Sequence, residues 1–153
     1  MSRGFFVTAT PAAGTATAYK LPFSSELLTI GWERNYNVTQ APESEVGIVY
    51  GDGTRTIKPV KMKVTVQADN ERAASDLLAT ILSNCSSTTS ILRYDGTGLE
   101  TTATNVRRLD YAKFKSFLGE PQIGVNHIIP VTLEFLPTRP YWTDQNGSGD
   151  YPF

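Results

Sequence analysis

The sequence predicts an α+β domain: an antiparallel β-sandwich or split barrel with one α-helix packed on it and extended hairpins. Apolar and polar residues alternate from Val60 to Gln67, which is the period of a strand with one buried face. Directly afterwards the period becomes helical, over about residues 69–84, with an apolar stripe of Ala74, Leu77, Leu78, Ile81 and Leu82. Elsewhere, short strand-like runs separated by Gly and Pro predict an otherwise β structure.

The predicted helix has a start signal and a stop signal. Asp69 is placed to accept a hydrogen bond from the first turn, and Glu71 suits the positive end of the helix. The polar run Ser83–Ser87 predicts the end of the helix. A strand over Thr89–Tyr94 follows and stops at Asp95-Gly96. The sequence therefore predicts a strand, a helix and a strand in direct succession.

The composition limits the classes of protein that this chain can belong to. With 153 residues, 40% apolar and 19% charged, it suits one globular domain and not a disordered chain. A formal net charge of −1 gives no overall attraction to nucleic acid or to an anionic membrane. Cys85 is the single cysteine, which excludes an internal disulfide. No apolar run reaches the length of a membrane span or a signal peptide, so we expect a protein made in the cytoplasm.

The chain is expected to divide into three parts. Residues 1–24 are predicted as an N-terminal arm or loop containing a short strand at Phe5-Phe6-Val7. Residues 25–142 are predicted as the single sandwich-plus-helix domain, and the Gly-rich residues 143–153 as a flexible tail. Within the domain, the first strand is expected to run from Leu27 to Tyr36. Its apolar face, expected to lie in the core, is made of Leu28, Ile30, Trp32 and Tyr36 and is interrupted by Arg34.

Glycine-containing turns place the remaining strands. Gly51-Asp52-Gly53 predicts the loop of a hairpin between Val46–Tyr50 and Arg55–Val60. Asp95-Gly96-Thr97-Gly98 predicts a second hairpin, between Ile91–Tyr94 and Leu99–Thr104. Two strand-like segments, Val106–Asp110 and Tyr111–Leu118, are expected to follow. The longest strand is expected to run from Ile123 to Phe135, with seven apolar or His residues of one parity. Pro59 and Pro130 lack an amide proton, so each predicts a strand edge or a bulge.

The sequence offers no site for chemistry. His127 is the only histidine and is expected to be a buried or interface residue bonded to a neighbour. No nucleophile motif, phosphate-binding loop or cluster of metal ligands is present, since one His and one Cys lie 42 positions apart. We therefore predict no enzymatic activity, no catalytic residue, no metal and no cofactor. Tyr141 and Trp142 are expected either to fold back over the end of the sandwich or to form a subunit contact.

The order of these features resembles the distal tail protein family of tailed phages, in its N-terminal ring domain. The resemblance covers about residues 25–142: an aromatic-bearing strand at Leu28–Tyr36, a hairpin, a strand entering one helix at Val60–Asn84, paired strands, and a long strand ending in Pro137-Thr138-Arg139-Pro140-Tyr141-Trp142. Larger members carry a second domain or sugar-binding modules, which have no counterpart in this sequence.

The resemblance implies a structural virion protein that forms a ring, expected to be hexameric, around a channel for passing DNA. Its partners would be copies of itself, the tail tube protein, the tape-measure protein and the hub or tip proteins, with no membrane. The hairpin at Gly51, Asp52 and Gly53 is a candidate subunit contact, together with Tyr141 and Trp142. Two alternatives are a tail tube or terminator ring subunit and, more distantly, a carbohydrate-binding module.

Overall fold

Eleven strands and one helix form the computed structural model, which describes residues 4–8, 18–22, 24–86, 90–96, 106–122 and 127–153. Seven strands form one open antiparallel sheet in the order β2-β1-β9-β10-β11-β8-β3, and two small sheets pair β4 with β7 and β5 with β6. The elements are β1 Gly4–Thr8, β2 Tyr19–Lys20, β3 Glu26–Thr29, β4 Trp32–Arg34, β5 Asn37–Gln40, β6 Gly47–Tyr50, β7 Arg55–Ile57, β8 Val60–Gln67, α1 Glu71–Cys85, β9 Ser90–Asp95, β10 Val106–Gly119 and β11 Ile128–Leu136. The predicted α+β class, with antiparallel sheets and one helix, is confirmed.

The core lies between α1 and the sheet around β8 and β11. In β8 the alternate residues Val60, Met62, Val64 and Val66 are buried, while Lys61 and Lys63 on the other face are exposed, as the pattern predicts. The partner strand β11 places three residues of one parity against them: Val131, Leu133 and Phe135. The helix covers this apolar layer with Ala74, Ile81 and Cys85, and Leu77, Leu78 and Leu82 pack at its margin.

The helix begins at Glu71, two residues after the start of the predicted range, and its N-cap is one residue later than expected. Asn70, and not Asp69, has the extended backbone of an N-cap, and its side-chain Oδ1 accepts a hydrogen bond from the Ala73 amide at 2.9 Å. Glu71 lies in the first turn, where a carboxylate interacts favourably with the helix dipole. Asp69 and Asn70 are both residue types that can cap a helix. The path of the chain leaving β8 therefore decides which of them does so.

Replacing Asn70 by Ala is expected to lower the free energy of unfolding by about 1 kcal/mol, because the Ala73 amide loses its acceptor. Urea unfolding measures this loss. Asp69→Ala is the matched control, since the Asp69 side chain does not cap the helix, and it should change the stability by less than Asn70→Ala. An equal effect of the two substitutions would contradict this assignment of the cap.

The long strands at the C-terminal end largely follow the prediction. Residues 106–119 form one strand with irregular register after Leu109 and after Phe114, where two strand-like segments were expected. The predicted strand at 123–135 is observed from Ile128, and its first residues lie outside the described part of the chain. Pro130 was expected at an edge or a bulge, but β11 lies between β10 and β8. Pro130 fits there because β10 ends opposite Val131.

At both ends, described residues of the segments predicted as an arm or a tail belong to the fold. In the N-terminal part, Phe5-Phe6-Val7 is buried in β1 between β2 and β9, so the sheet begins well before residue 25. At the other end, Trp142 and Tyr151 exchange backbone hydrogen bonds of 2.8 and 3.0 Å. The ring of Phe153 lies 5.1 Å from that of Trp142, so residues 142–153 fold back on the domain as a C-terminal strap.

Candidate assembly surface

A long two-stranded arm, residues 32–57, leaves the main sheet between β3 and β8. Its base is formed by β4 and β7, with Trp32 opposite Ile57, and its outer part by β5 and β6, with Asn37 opposite Tyr50. The turn at its tip places Pro42 second and Glu43 third, with Glu43 at a positive φ of 67° and the Ser44 amide bonded to the Ala41 carbonyl at 3.1 Å. We call residues 35–54 the distal arm.

The observed hairpin corrects two predictions. Gly51-Asp52-Gly53 is not the loop of a hairpin between Val46–Tyr50 and Arg55–Val60; it is a kink in the returning strand, and the loop lies at residues 41–46. The predicted continuous strand from Leu27 to Tyr36 is also broken, at Gly31, into β3 and β4. Glycine explains both results, because Gly31 and Gly51 have positive φ values of 147° and 130°.

The distal arm exposes an unusual amount of apolar surface. We call its large exposed side chains the arm patch: Tyr36, Val38, Val46, Ile48, Val49 and Tyr50. Val46 is 77% exposed and Ile48 is 72% exposed. In the first predicted strand, Leu28, Ile30 and Tyr36 were expected in the core but are also exposed. A two-stranded hairpin is marginally stable in water, and contiguous apolar surface on a protein marks an interaction site.

Polar contacts fix the kink where the arm changes direction. The Asp52 Oδ1 atom accepts hydrogen bonds from the Thr54 amide at 3.0 Å and the Thr54 hydroxyl at 2.8 Å, and from the Asn35 side chain at 3.2 Å. The bonds from Thr54 are the main reason that the pKa of Asp52 is lowered from its usual value. Asp52 is therefore a structural carboxylate of the kink.

The base of the arm is attached to the C-terminal strap. The Arg55 guanidinium lies over the Trp32 ring at 4.5 Å, with Arg34 also near this ring at 5.7 Å. Arg55 Nη1 forms an ion pair with Asp150 of the strap at 2.9 Å. The strap is in turn bound to the sheet, where Thr143 and Arg108 exchange two backbone hydrogen bonds of 2.9 Å. These contacts set the direction in which the arm leaves the domain.

Gly51→Ala is expected to disturb the arm without unfolding the domain. A Cβ atom at residue 51 would lie 2.2 Å from the Asn35 carbonyl oxygen, so the two chains of the arm must separate there. Gly31→Ala is the matched control, because residue 31 has a similar φ but its Cβ would meet nothing within 4 Å. Amide exchange should become faster in residues 37–50 only in the Gly51 variant. Equal exchange in both variants would contradict this role of Gly51.

Tyr141 and Trp142 lie beside the base of the arm, where they line one cleft with Gly31 and Lys58. The chain itself covers Trp142. Trp142 is buried, and its ring contacts Phe153 of the strap. Of the two expectations for this residue, packing over the end of the domain matches its position. Tyr141 is half-buried, with the Arg139 guanidinium 6.0 Å from its ring. The prediction of a subunit contact therefore concerns mainly Tyr141 and the arm.

The fold is similar to that of a phage Dit protein. The crystal structure of SPP1 Dit (gp 19.1), described as a paradigm of the hub adsorption apparatus in phages that infect Gram-positive bacteria, superposes with a TM-score of 0.56 at 11% sequence identity. The match covers 93% of this chain and 52% of the Dit chain, so this chain spans about half of its length. No family model matches the sequence, and no curated protein matches it.

The likeness to Dit concerns the fold, and the side chains have to be judged separately. His127 is partly buried beside the first turn of α1, and its Nδ1 atom has no hydrogen-bond partner among the described residues. The expectation of a buried or interface histidine bonded to a neighbour stays a prediction. Three or more potential metal ligands do not group together anywhere in the described ranges. Within the same ranges, the helix is too short and too polar to cross a membrane.

The arm patch is the feature that sequence reasoning missed. The strand predicted at Val46–Tyr50 is observed over Gly47–Tyr50, but exposure of its apolar side chains was not predicted. The run Ile48-Val49-Tyr50 has no polar alternation, which is typical of a strand covered on both faces. Such a pattern does not show which molecule buries the strand. It is equally typical of a central strand in this chain and of a strand that a partner protein covers.

Proposed function

We propose that this protein is a structural subunit of a phage tail, forming a ring at the distal end that joins the tail tube to the tip complex. The observation that carries the proposal is the arm patch: six large apolar side chains exposed on an arm whose strands pair only with each other among the described residues. Such a surface is stabilised when another protein covers it. The likeness of the fold to Dit supports a place in the tail.

We expect the arm of one copy to bind the domain of another copy. Because these are two different surfaces of the same chain, the contact between copies is head-to-tail. Contacts of this type close into a ring when the rotation between copies allows it. We therefore infer a homo-oligomeric ring, in which the kink at Gly51, Asp52 and Gly53 shapes the contact and Tyr141 is a further candidate. A hexamer is the ring size that we expect, with DNA passing through the central channel.

The remaining parts of the proposal follow from this place in the virion. The ring would contact the tail tube protein on one side and the hub or tip proteins on the other, with the tape-measure protein in the channel. The protein would be made in the host cytoplasm and act in the assembled tail. Its role is to bind and position neighbouring proteins, with no catalytic step.

Native mass spectrometry and electron microscopy of the purified protein test the proposal. We expect one closed species of a single subunit number, seen as a ring of one or two layers. Long tubes would instead favour a tail tube subunit. A stable monomer at the highest attainable concentration would contradict the proposed function, because the arm patch would then remain exposed to water.

A further inference from the structure

The arm patch occupies both faces of the distal arm. Val38 and Val49 are directly opposite each other in the β5–β6 register, so their side chains lie on the same face. Ile48 and Tyr50 are opposite Thr39 and Asn37, on the other face. All four apolar side chains are more than half exposed. A flat partner surface could cover only one of these pairs and would leave the other in water.

The charge of the distal arm indicates what covers it. Residues 35–54 contain the acidic side chains Glu43, Glu45 and Asp52, and neither lysine nor arginine. The chain has 14 basic and 15 acidic residues in total, so the part outside the distal arm has more basic than acidic side chains. Two distal arms would repel each other, whereas an arm and the body of another copy have complementary charge.

From these two observations we propose that each distal arm lies between the bodies of two other copies of this chain. One copy covers the face with Val38 and Val49, and the second covers the face with Ile48 and Tyr50. This inference rests on the proposed function and adds that every subunit contacts two partners through one element. Of the two assemblies allowed by the proposed function, this arrangement requires the ring of two layers: one partner is the lateral neighbour and the other belongs to the adjacent layer.

Photo-crosslinking from the two faces tests this arrangement. Single variants Val49→Cys and Ile48→Cys, and the double variant, are labelled with a thiol-reactive benzophenone and mixed with an excess of unlabelled wild-type chains. Cys85 is fully buried, and burial raises the pKa of its thiol to about 12, so wild-type protein is the control that takes up no label. Isotope labelling of the wild-type chains identifies each crosslinked peptide by mass.

We expect each single variant to give crosslinked dimers and the double variant to give crosslinked trimers, with partner peptides that lie outside residues 35–54. If the double variant gives only dimers, one copy covers both faces and the inference is wrong. Crosslinks to the partner's residues 35–54 would also overturn it. A protein that assembles without crosslinks from the arm refutes this inference but not the proposed function, whereas a protein that stays monomeric refutes both.

Discussion

Replacing Arg108 by Ala is expected to lower the free energy of unfolding by about 3–5 kcal/mol, the range for a broken buried ion pair. Arg108 Nη2 lies 2.9 Å from Asp110 Oδ1, and the two side chains are 8% and 9% exposed. Its Nη1 atom also donates to the Gln145 carbonyl at 2.8 Å. The substitution leaves the Asp110 carboxylate buried without its cation and removes a bond that holds the C-terminal strap on the sheet.

Arg72→Ala is the matched control for this prediction. Arg72 pairs with Asp76 one helical turn away, but the two side chains are 87% and 66% exposed. Exposed pairs of this kind contribute about 0.3–0.5 kcal/mol. Chemical unfolding of both variants at neutral pH measures the difference. A loss in the Arg108 variant as small as that of the control would show that the strap is held by other contacts.

The parts of the fold that could be predicted are those whose apolar residues are buried by other elements of the same chain. Val60–Val66 alternates with polar residues, and α1 carries an apolar stripe, because each covers the other in the core. The three buried residues of β11 follow the same rule. In these elements the local periodicity and the tertiary packing require the same arrangement. Periodicity alone was therefore sufficient to predict the element and its buried residues.

The arm could not be predicted in this way, because the apolar periodicity of a strand does not reveal which molecule buries its apolar face. Leu28, Ile30 and Tyr36 have the alternation of a core strand, yet they are exposed once Gly31 separates β3 from β4. The prediction of a flexible tail at residues 143–153 was wrong for the opposite reason. The Gly-rich composition of these residues is typical of a mobile tail, but Arg108 and Arg55 bind the strap through contacts between residues distant in sequence. Within the strap, Trp142 pairs with Tyr151.

The candidate site was placed only approximately by the sequence. The segment containing Gly51, Asp52 and Gly53 does belong to the arm, but as a kink, and a turn at Pro42-Glu43 closes the hairpin instead. A short run containing two glycines fits either a loop or a bend, and the register between β5 and β6 decides between them. That register depends on Val38 pairing with Val49, a contact that no single strand shows in its own pattern.

Deleting residues 36–50 is expected to abolish self-assembly while leaving the domain folded. The deletion joins Asn35 to Gly51 and leaves a five-residue loop between Arg34 and Arg55, which already face each other in the β4–β7 pair. A Cβ atom on Gly51 would lie only 2.2 Å from the Asn35 carbonyl, so the two ends to be joined are close. The removed strands pair only with each other in the described structure, so the domain loses no core contact.

The size of the effect follows from the apolar surface that the deletion removes. Burying one Val or Ile side chain contributes about 1.5–3 kcal/mol, and about 1.4 kcal/mol changes an association constant tenfold. Losing several side chains of the arm patch should therefore weaken association by orders of magnitude. Sedimentation at increasing concentration measures association, and thermal unfolding checks the fold. A milder variant, Val49→Thr, keeps a β-branched residue in the strand and should weaken association less than the deletion does. Because the deleted strands pair only with each other in the described structure, a shortened chain that still assembles at wild-type concentrations would exclude the arm from the interface and leave Tyr141 as the candidate contact.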